Sequence, residues 1–404
     1  MLSKQGQQLM SKPDYDLIII GAGCAGLSMA REIARQCDSK NNQRVMLLEP
    51  RESYSNDRTW CFWQRQPEID RALVSKSWNA WQFDTKDDVV VQRSATDWAY
   101  HCVPAETFYK QAQQDIDRTS SMTLLLGQVV VSVNSSPRSI EVETGAGCIS
   151  AAQVIDTRPP SSERSNAASL KQVFYGLELR LNEPQQHTDI AKLMSHMSSD
   201  ADGFKFHYLL PLAPERVLLE VTRFSKSALT PASLAGEAHK ALQTYFPSGV
   251  AEIMRHEQGL IPMGLPPTST TGDTRWVRAG TSAGAVRASS GYAFQRIQRW
   301  ARTEASSFLK QQPLTGQYPV TGVLGWMDRV FLETLSRQPA LAPDLFMALA
   351  KGVRADRLTR FLTEQPRALD LAAVISALPA MPVLKTLKLR RAGAHKLVTG
   401  KAFE

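Results

Sequence analysis

The sequence predicts an α/β (α+β) fold in three parts: a three-layer β/β/α domain, an antiparallel β-sheet domain and a C-terminal helical segment. Three observations predict it. Two short apolar runs, Leu17-Ile18-Ile19-Ile20 and Val45-Met46-Leu47-Leu48, read as buried parallel strands, with residues 27–34 of helical composition between them. Between Val173 and Phe224 the chain reads as half-buried strands, two of them joined by a short turn. From Val330 onward the composition is mostly helical.

The first strand runs directly into Gly21-Ala22-Gly23-Cys24-Ala25-Gly26, and the second ends in Glu49. Strand, G-x-G-x-x-G, helix, strand and acidic residue stand in the order a dinucleotide site needs. Gly21 permits the tight turn, Gly23 lets the backbone approach a pyrophosphate, and Gly26 lets the helix pack on the strand. The helix N-terminus offers free N–H groups and a positive dipole end to the phosphates. Glu49 can accept hydrogen bonds from an adenosine ribose. The bare alternative is a tight strand-to-helix turn. The motif's place near the chain start favours FAD over a nicotinamide, so the first domain reads as Rossmann-like and FAD-binding.

A chain of 404 residues accommodates two or three domains. The 47 Lys and Arg against 39 Asp and Glu give a net charge of +8, which suits an anionic membrane surface or an anionic cofactor. No aromatic–basic motif calls for nucleic acid. Cys24, Cys37, Cys61, Cys102 and Cys148 are scattered without a C-x-x-C, which argues against a disulfide framework or a zinc site and for a reducing compartment. No metal site is expected. Residues 1–13 are polar and read as a frayed leader without signal-peptide character. No window approaches the ~20 apolar residues of a spanning helix, so any membrane contact is expected to be peripheral.

Residues 51–63 form a polar loop that turns aromatic. Trp60, Trp63, Trp78, Trp81 and Trp98 read either as a satellite core or as an aromatic-walled cavity for an apolar ligand or a cation. Residues 78–83 look like one strand, and a helix runs from Pro104 to about Asp117. Residues 122–133 and 139–143 read as a small β unit. The apolar strand at Val154-Ile155 stops at Asp156, where the chain returns to the dinucleotide domain. Asp156 and Arg158 either shape a loop near the cofactor or end a strand. Strands follow at 173–181, 204–212 and 216–224, the last two joined by a turn at 211–215. Residues 230–245 read as a helix with Thr230 as N-cap and Pro231 at its first position. Residues 259–264 and 275–280 lead back to the first domain. A helix over 293–309 follows Ser290-Gly291-Tyr292, and its N-terminus is the natural place for a flavin ring edge.

The expected division is 14–60, 100–165 and 255–325 for the FAD domain, and 61–99 with 166–254 for the substrate domain. Residues 326–404 form a helical, membrane-docking segment. Its apolar stretch at 368–384, broken by Pro379 and Pro382, leads to Lys385, Lys388, Arg390, Arg391, Lys396 and Lys401. These read either as a frayed tail or as an interfacial segment touching anionic lipid. Gly280-Thr281-Ser282-Ala283-Gly284 also fits G-x-S-x-G, but only His395 lies downstream to act as base, so a hydrolase elbow is rejected.

Several blocks together resemble one family, the FAD-dependent lycopene cyclases that close β-ionone rings on linear carotenoids. They are the glycine motif, Asn56-Asp57-Arg58-Thr59-Trp60-Cys61-Phe62-Trp63, Val154-Ile155-Asp156-Thr157-Arg158-Pro159, residues 203–212 and 216–222, residues 259–264, Ser290-Gly291-Tyr292-Ala293-Phe294, and residues 327–332. The chain departs from the family at Met194-Ser195, where a Met-Asp pair is usual, at Ala288-Ser289, and at Val221 after Glu220. The resemblance implies cofactor contacts from Gly21, Gly23, Cys24, Ala25, Gly26 and Glu49, from Arg58, Thr59 and Trp60, and from Val129 and Asp156. Later in the chain it implies Gly280, Ala283 and Gly284, then Ser290, Gly291 and Tyr292. It also implies reduced FAD as the active form, NADPH or NADH only as its reductant, an apolar polyene substrate, and a peripheral place on the cytoplasmic membrane. Ring closure needs an acid that stays protonated near neutral pH, a stabiliser for a carbocation, and exclusion of water. Glu220, following Leu218-Leu219 on an apolar strand, is the candidate acid, because burial would keep its proton in place. Glu333, in a similar Leu-Glu setting, reads as a structural or surface helix residue. The alternative is an FAD-dependent monooxygenase or oxidoreductase on an apolar or aromatic substrate, which would consume nicotinamide in step with product.

Overall fold

A computed structural model describes residues 12–38, 41–227, 229–266 and 272–379. The chain opens with β1 (Tyr15–Ile20), α1 (Cys24–Gln36) and β2 (Val45–Leu48). It continues through β3 (Thr59–Arg65), β4 (Lys76–Trp78), β5 (Ala80–Asp84), β6 (Val89–Arg93) and β7 (Trp98–Pro104) to α2 (Ala105–Asp117). Then come β8 (Met122–Leu125), β9 (Val130–Ser135), β10 (Ile140–Thr144) and β11 (Gly147–Asp156). The long strands β12 (Leu170–Arg180), β13 (Ile190–Asp200), β14 (Gly203–Ala213) and β15 (Arg216–Ser225) precede α3 (Ala235–Tyr245), β16 (Glu252–Met263) and β17 (Trp276–Arg278). The chain then turns helical, with α4 (Phe294–Leu309), α5 (Gly322–Arg337), α6 (Ala342–Gly352), α7 (Ala355–Leu362) and α8 (Ala368–Ala377).

The first sheet has the order β8-β2-β1-β11-β10-β9, with β17 beside the end of β11. Strands β8, β2, β1, β11 and β17 are parallel, and β9 and β10 add an antiparallel meander. Leu17 and Ile19 pack on the α1 and α2 side, with Leu27 and Phe108. Ile18 and Ile20 pack against Ile140 and Val142 of the meander on the other side. Helix, sheet and β-layer thus stack in three layers, and β1 is apolar throughout because both of its faces are covered. This is the Rossmann-like architecture expected from the sequence.

The second sheet has the order β16-β12-β15-β14-β13-β5-β6 and is antiparallel except where β13 meets β5. One face packs Leu177, Leu219 and Val221 beneath Ala238 and Ala241 of α3. The other carries Phe204, Phe206 and Phe224, which join the tryptophans and the C-terminal helices in one core.

Residues 78–83 are not one strand. β4 pairs with β7 in a small three-stranded sheet, whereas β5 enters the second sheet. Trp78 and Trp81 are both buried, and three positions apart on one straight strand they would face opposite ways. The tryptophans form packed core; Trp63 and Trp81 meet edge to face at 5.7 Å. β13 carries no β-branched residue beyond its first position and is bulged twice, so nothing in its sequence marked it as a strand. β16 runs along β12 from Glu252 to Met263, so residues expected to lie with the FAD domain from 255 form an edge of the antiparallel sheet. Thr230 starts only a short turn over Pro231–Leu234 and makes no side-chain cap. The polar leader up to residue 11 and the basic tail from Lys385 lie outside the described residues.

Candidate active site

The glycine loop is built for close approach. Gly21 has φ +88°, and a Cβ there would lie 2.9 Å from Thr157 Oγ1. At Gly26 a Cβ would sit 1.9 Å from the Gly21 carbonyl oxygen, so only glycine lets α1 rest on the end of β1. Gly23, the N-cap of α1, makes no side-chain cap, and the nearest atom to a Cβ there would be Arg51 Nη2 at 4.0 Å. The loop is clamped from both sides. Glu49 accepts the Ala22 N–H at 2.6 Å and Arg51 Nε at 2.8 Å. Arg51 and Tyr54 both donate to the Ala22 carbonyl, and Thr157 donates to the carbonyls of Ile20 and Gly21. Burial pushes the Cys24 thiol up to about 12, so it stays neutral.

The second half of the site is the turn after β17. Gly280 (φ +79°) would place a Cβ 3.2 Å from Ala25 Cβ, so this turn lies against the start of α1. Gly284 (φ +95°) admits Pro319, and Gly291 (φ +74°) leaves room for the Gln172 side chain of the second sheet. The Ser290 hydroxyl is buried without a partner among the described residues. A cavity of about 660 Å³ opens between Thr281, Gly284 and Ala288, the end of β16 at Pro262, and Asp328, Arg329 and Leu332 of α5. That volume lies in the range of small-molecule sites. Glu333 also lines it, bonded to Arg337 at 3.0 Å, so this residue faces a cavity as well as supporting its helix.

Glu220 stands on the face of the second sheet that carries Gln172. It is half-buried, and its Oε1 accepts the Thr222 hydroxyl at 2.7 Å. Burial, and after it the Glu257 carboxylate alongside, hold its carboxyl well above the ordinary range. Beside it lie Tyr208 and Tyr292; the Tyr292 hydroxyl is bonded to those of Tyr208 and Tyr100, and burial keeps all three un-ionised. The arrangement can hold and release a proton at Glu220 within a largely apolar, aromatic surround.

Residues 16–388 match the family described as lycopene cyclase protein. The chain belongs to the lycopene cyclase family. A lycopene beta-cyclase of Pantoea ananas is 25% identical over 398 residues, covering 93% of this chain and 98% of its own. Among solved structures, a geranylgeranyl bacteriochlorophyll reductase-like protein of Thermoplasma acidophilum superposes with a TM-score of 0.57 at 12% identity, over 93% of this chain and 98% of its own. CtdE, solved in complex with FAD and a substrate, gives 0.54 at 14% identity, over 84% and 90%. The two superpositions show a shared fold.

This member of the lycopene cyclase family brings Gly21, Gly23, Cys24, Ala25 and Gly26 together with Gly280, Ala283 and Gly284 at one end of α1, and sets Glu49 behind the loop. Other residues are engaged elsewhere. Asp156 is bound by Arg158 through two contacts at 2.9 and 2.7 Å, and Arg58 is bound to Asp57. The Thr59 hydroxyl donates to Glu257 at 2.7 Å, and the Trp60 ring stacks on Phe294 at 5.3 Å. Val129 is 59% exposed at the edge of the meander, beside Gln128, whose N–H donates to the Glu49 carbonyl. Ser195 donates at 2.7 Å to the buried Asp84 carboxylate. It aligns with His207 and Val221, a row pointing away from the Glu220 face, so the departure at 195 takes nothing from that face. Sequence reasoning missed Glu257, Arg255, Gly176 and Thr222, whose meeting depends on strand register.

Proposed function

We propose that this protein is an FAD-dependent lycopene beta-cyclase that closes the ends of a linear carotenoid without net redox change. The observation that carries the reading is Glu220, a largely buried carboxyl bonded to Thr222 on the sheet face that meets the Gly291 turn, where burial favours its protonated form. The family supports it, and so does the name of the Pantoea relative.

The residues fit FAD. The bare Gly21-x-Gly23 loop and uncapped α1 N-terminus would hold the pyrophosphate, with buried Glu49 bracing the loop from behind, and the Gly280–Gly284 and Ser290–Tyr292 turns would take the flavin end, where the Ser290 hydroxyl awaits a partner. Reduced FAD, when bound, supplies electron density to a carbocation and is not consumed. Glu220 donates its proton to the inner carbon of the terminal alkene, and a second double bond captures the tertiary cation so formed to close the ring. The Glu220 carboxylate recovers a proton from the ring carbon, so the product keeps the mass of the substrate. The packed aromatic core around Trp63, Tyr100 and Tyr292 excludes water that would quench the cation. NADPH or NADH serves only to reduce the flavin. The protein works peripherally at the cytoplasmic membrane, where its apolar substrate partitions. The net charge of +8 supports that place, and among the described residues no helix is long and apolar enough to cross the bilayer.

Anaerobic incubation with lycopene in liposomes, FAD and NADPH tests this directly. The expected result is a mass-neutral product with a blue-shifted spectrum and no matching nicotinamide oxidation. Unchanged lycopene in the presence of bound, reduced flavin would sink the reading, and product appearing only with oxygen and equal NADPH would favour a monooxygenase. Gly26→Ala is expected to yield protein without the yellow flavin, because no rotamer relieves a 1.9 Å contact between Cβ and a backbone oxygen. Flavin absorbance at wild-type stoichiometry would contradict that expectation.

A further inference from the structure

We propose that Glu257 is a positioning residue for the acid: across the bare Cα of Gly176, the Glu220 and Glu257 carboxyl groups share one proton, which Glu257 keeps on Glu220. The inference rests on the assignment of Glu220 made above.

Gly176 of β12 is the register partner of Glu220 on β15 and of Glu257 on β16. The three residues therefore form one row on one face of the sheet, with the glycine in the middle. A Cβ at 176 would lie 2.8 Å from Glu257 Cγ, so any other residue would push the Glu257 side chain out of its place. The two carboxyl groups differ in their surroundings. Glu257 is 3% exposed, and its Oε2 accepts from both Thr59 Oγ1 and Arg255 Nη1 at 2.7 Å. Glu220 keeps partial exposure, and among the described residues its Oε1 accepts from the neutral Thr222 hydroxyl. The two carboxyl groups meet through a hydrogen bond over Gly176, and two carboxylates in such contact do not both ionise. Burial raises the Glu257 carboxyl too, but the Arg255 guanidinium and the Thr59 hydroxyl oppose it, whereas Glu220 has only the Thr222 hydroxyl and is held higher, so the charge settles on Glu257 and the proton on Glu220.

The charges around the pair agree. Buried Glu178 takes Arg255 on one oxygen and Arg216 on the other. Glu178, Glu220 and Glu257 thus face two guanidiniums, and one retained proton makes the cluster neutral. Among the described residues the other titratable groups beside Glu220 are Tyr208 from β14, Tyr292 before α4 with Tyr100 of β7 behind it, and Cys61 on β3; burial keeps the tyrosines uncharged, and the hydrogen bond with Cys102, followed by burial, does the same for Cys61.

The test is Glu257→Gln in the FAD-loaded protein, followed by infrared spectroscopy of the protonated carboxyl band, assigned by its loss in Glu220→Gln. In the wild type the band should persist through neutral pH. In Glu257→Gln the Glu220 band should titrate away at least about one pH unit lower, since the neighbouring anion is gone and Arg255 remains. The alkaline limb of the lycopene cyclisation profile should move by the same amount. A Glu220 band that titrates as in the wild type overturns the inference. If Glu257→Gln does not fold, Glu257→Asp draws the carboxylate back by one methylene; a smaller downward shift supports the pairing, and no shift overturns it. The band is read without turnover. A shared proton in a protein that leaves lycopene untouched would therefore overturn the cyclase reading while the pairing stood.

Discussion

Glu220→Gln is expected to keep the fold and bound FAD and to lose cyclisation by about 10²–10⁴-fold, the usual contribution of a positioned general acid. The amide preserves size and can still accept the Thr222 hydroxyl, so packing on β15 is undisturbed. What it cannot do is release a proton to an alkene. Flavin content and thermal stability should therefore match the wild type while product formation falls, measured by anaerobic turnover with lycopene and pigment chromatography. Because Glu220 is normally the protonated member of its pair, the neutral amide also leaves Glu257 its charge and its bonds to Thr59 and Arg255. Normal turnover in this variant would remove Glu220 from its role. A parallel loss of flavin would mean that its part is structural.

Asp328→Ala is expected to have the largest effect on stability, a loss of about 3–5 kcal/mol. Arg287 and Asp328 are 0% and 1% exposed, and the guanidinium reaches both carboxylate oxygens at 2.9 Å. Asp328 also accepts the Ser289 hydroxyl at 2.8 Å, and Arg287 donates to the Phe361 carbonyl at 2.5 Å. One ion pair thus joins the turn before Tyr292 to α5 and α7. With neither group in contact with water, salt screening relieves nothing, and removing the carboxylate strands a cation in the interior. Denaturant unfolding should report the loss. Arg287→Met combined with Asp328→Ala should recover part of it, since the double variant carries no unpaired charge. A single variant within 1 kcal/mol of the wild type would show that water reaches the pair after all.

Backbone chemistry was legible in the sequence because it is local. Gly21, Gly23 and Gly26 announce a turn, an approach and a packing contact through their spacing alone, and the structure places a carbonyl oxygen or a threonine hydroxyl where side chains at 21 and 26 would have stood. Glu220 became a candidate through its apolar flanks together with the family resemblance, and the structure places it beside a second carboxyl. Glu257 was not legible, because its partner lies on another strand two ladders away, and register is decided by how whole strands pair. Gly176 gave no signal for the same reason: mid-strand glycine is ordinarily a weakness, and its use appears only once both neighbours are known. Thr59 stood out only as part of its block, and that its hydroxyl donates to Glu257 is set by the fold and not by local sequence. The polar, unbranched β13 shows the limit of pattern reading, since its strand character comes from β14 and β5 on either side.

The parallel pairing of β5 with β13 has a consequence for how the chain is made. Ala80–Asp84 is synthesised early, but its neighbour Ile190–Asp200 emerges roughly a hundred residues later. β11 likewise waits for β17, which comes after β16 has completed the second sheet. Through that interval Trp81 and Phe83 have no finished sheet to cover them. The nascent chain therefore carries an unsheltered aromatic edge until about half of it has been translated, which makes the protein a poor candidate for expression in pieces. Cutting it between its two large sheets would leave each half without strands that the other half supplies.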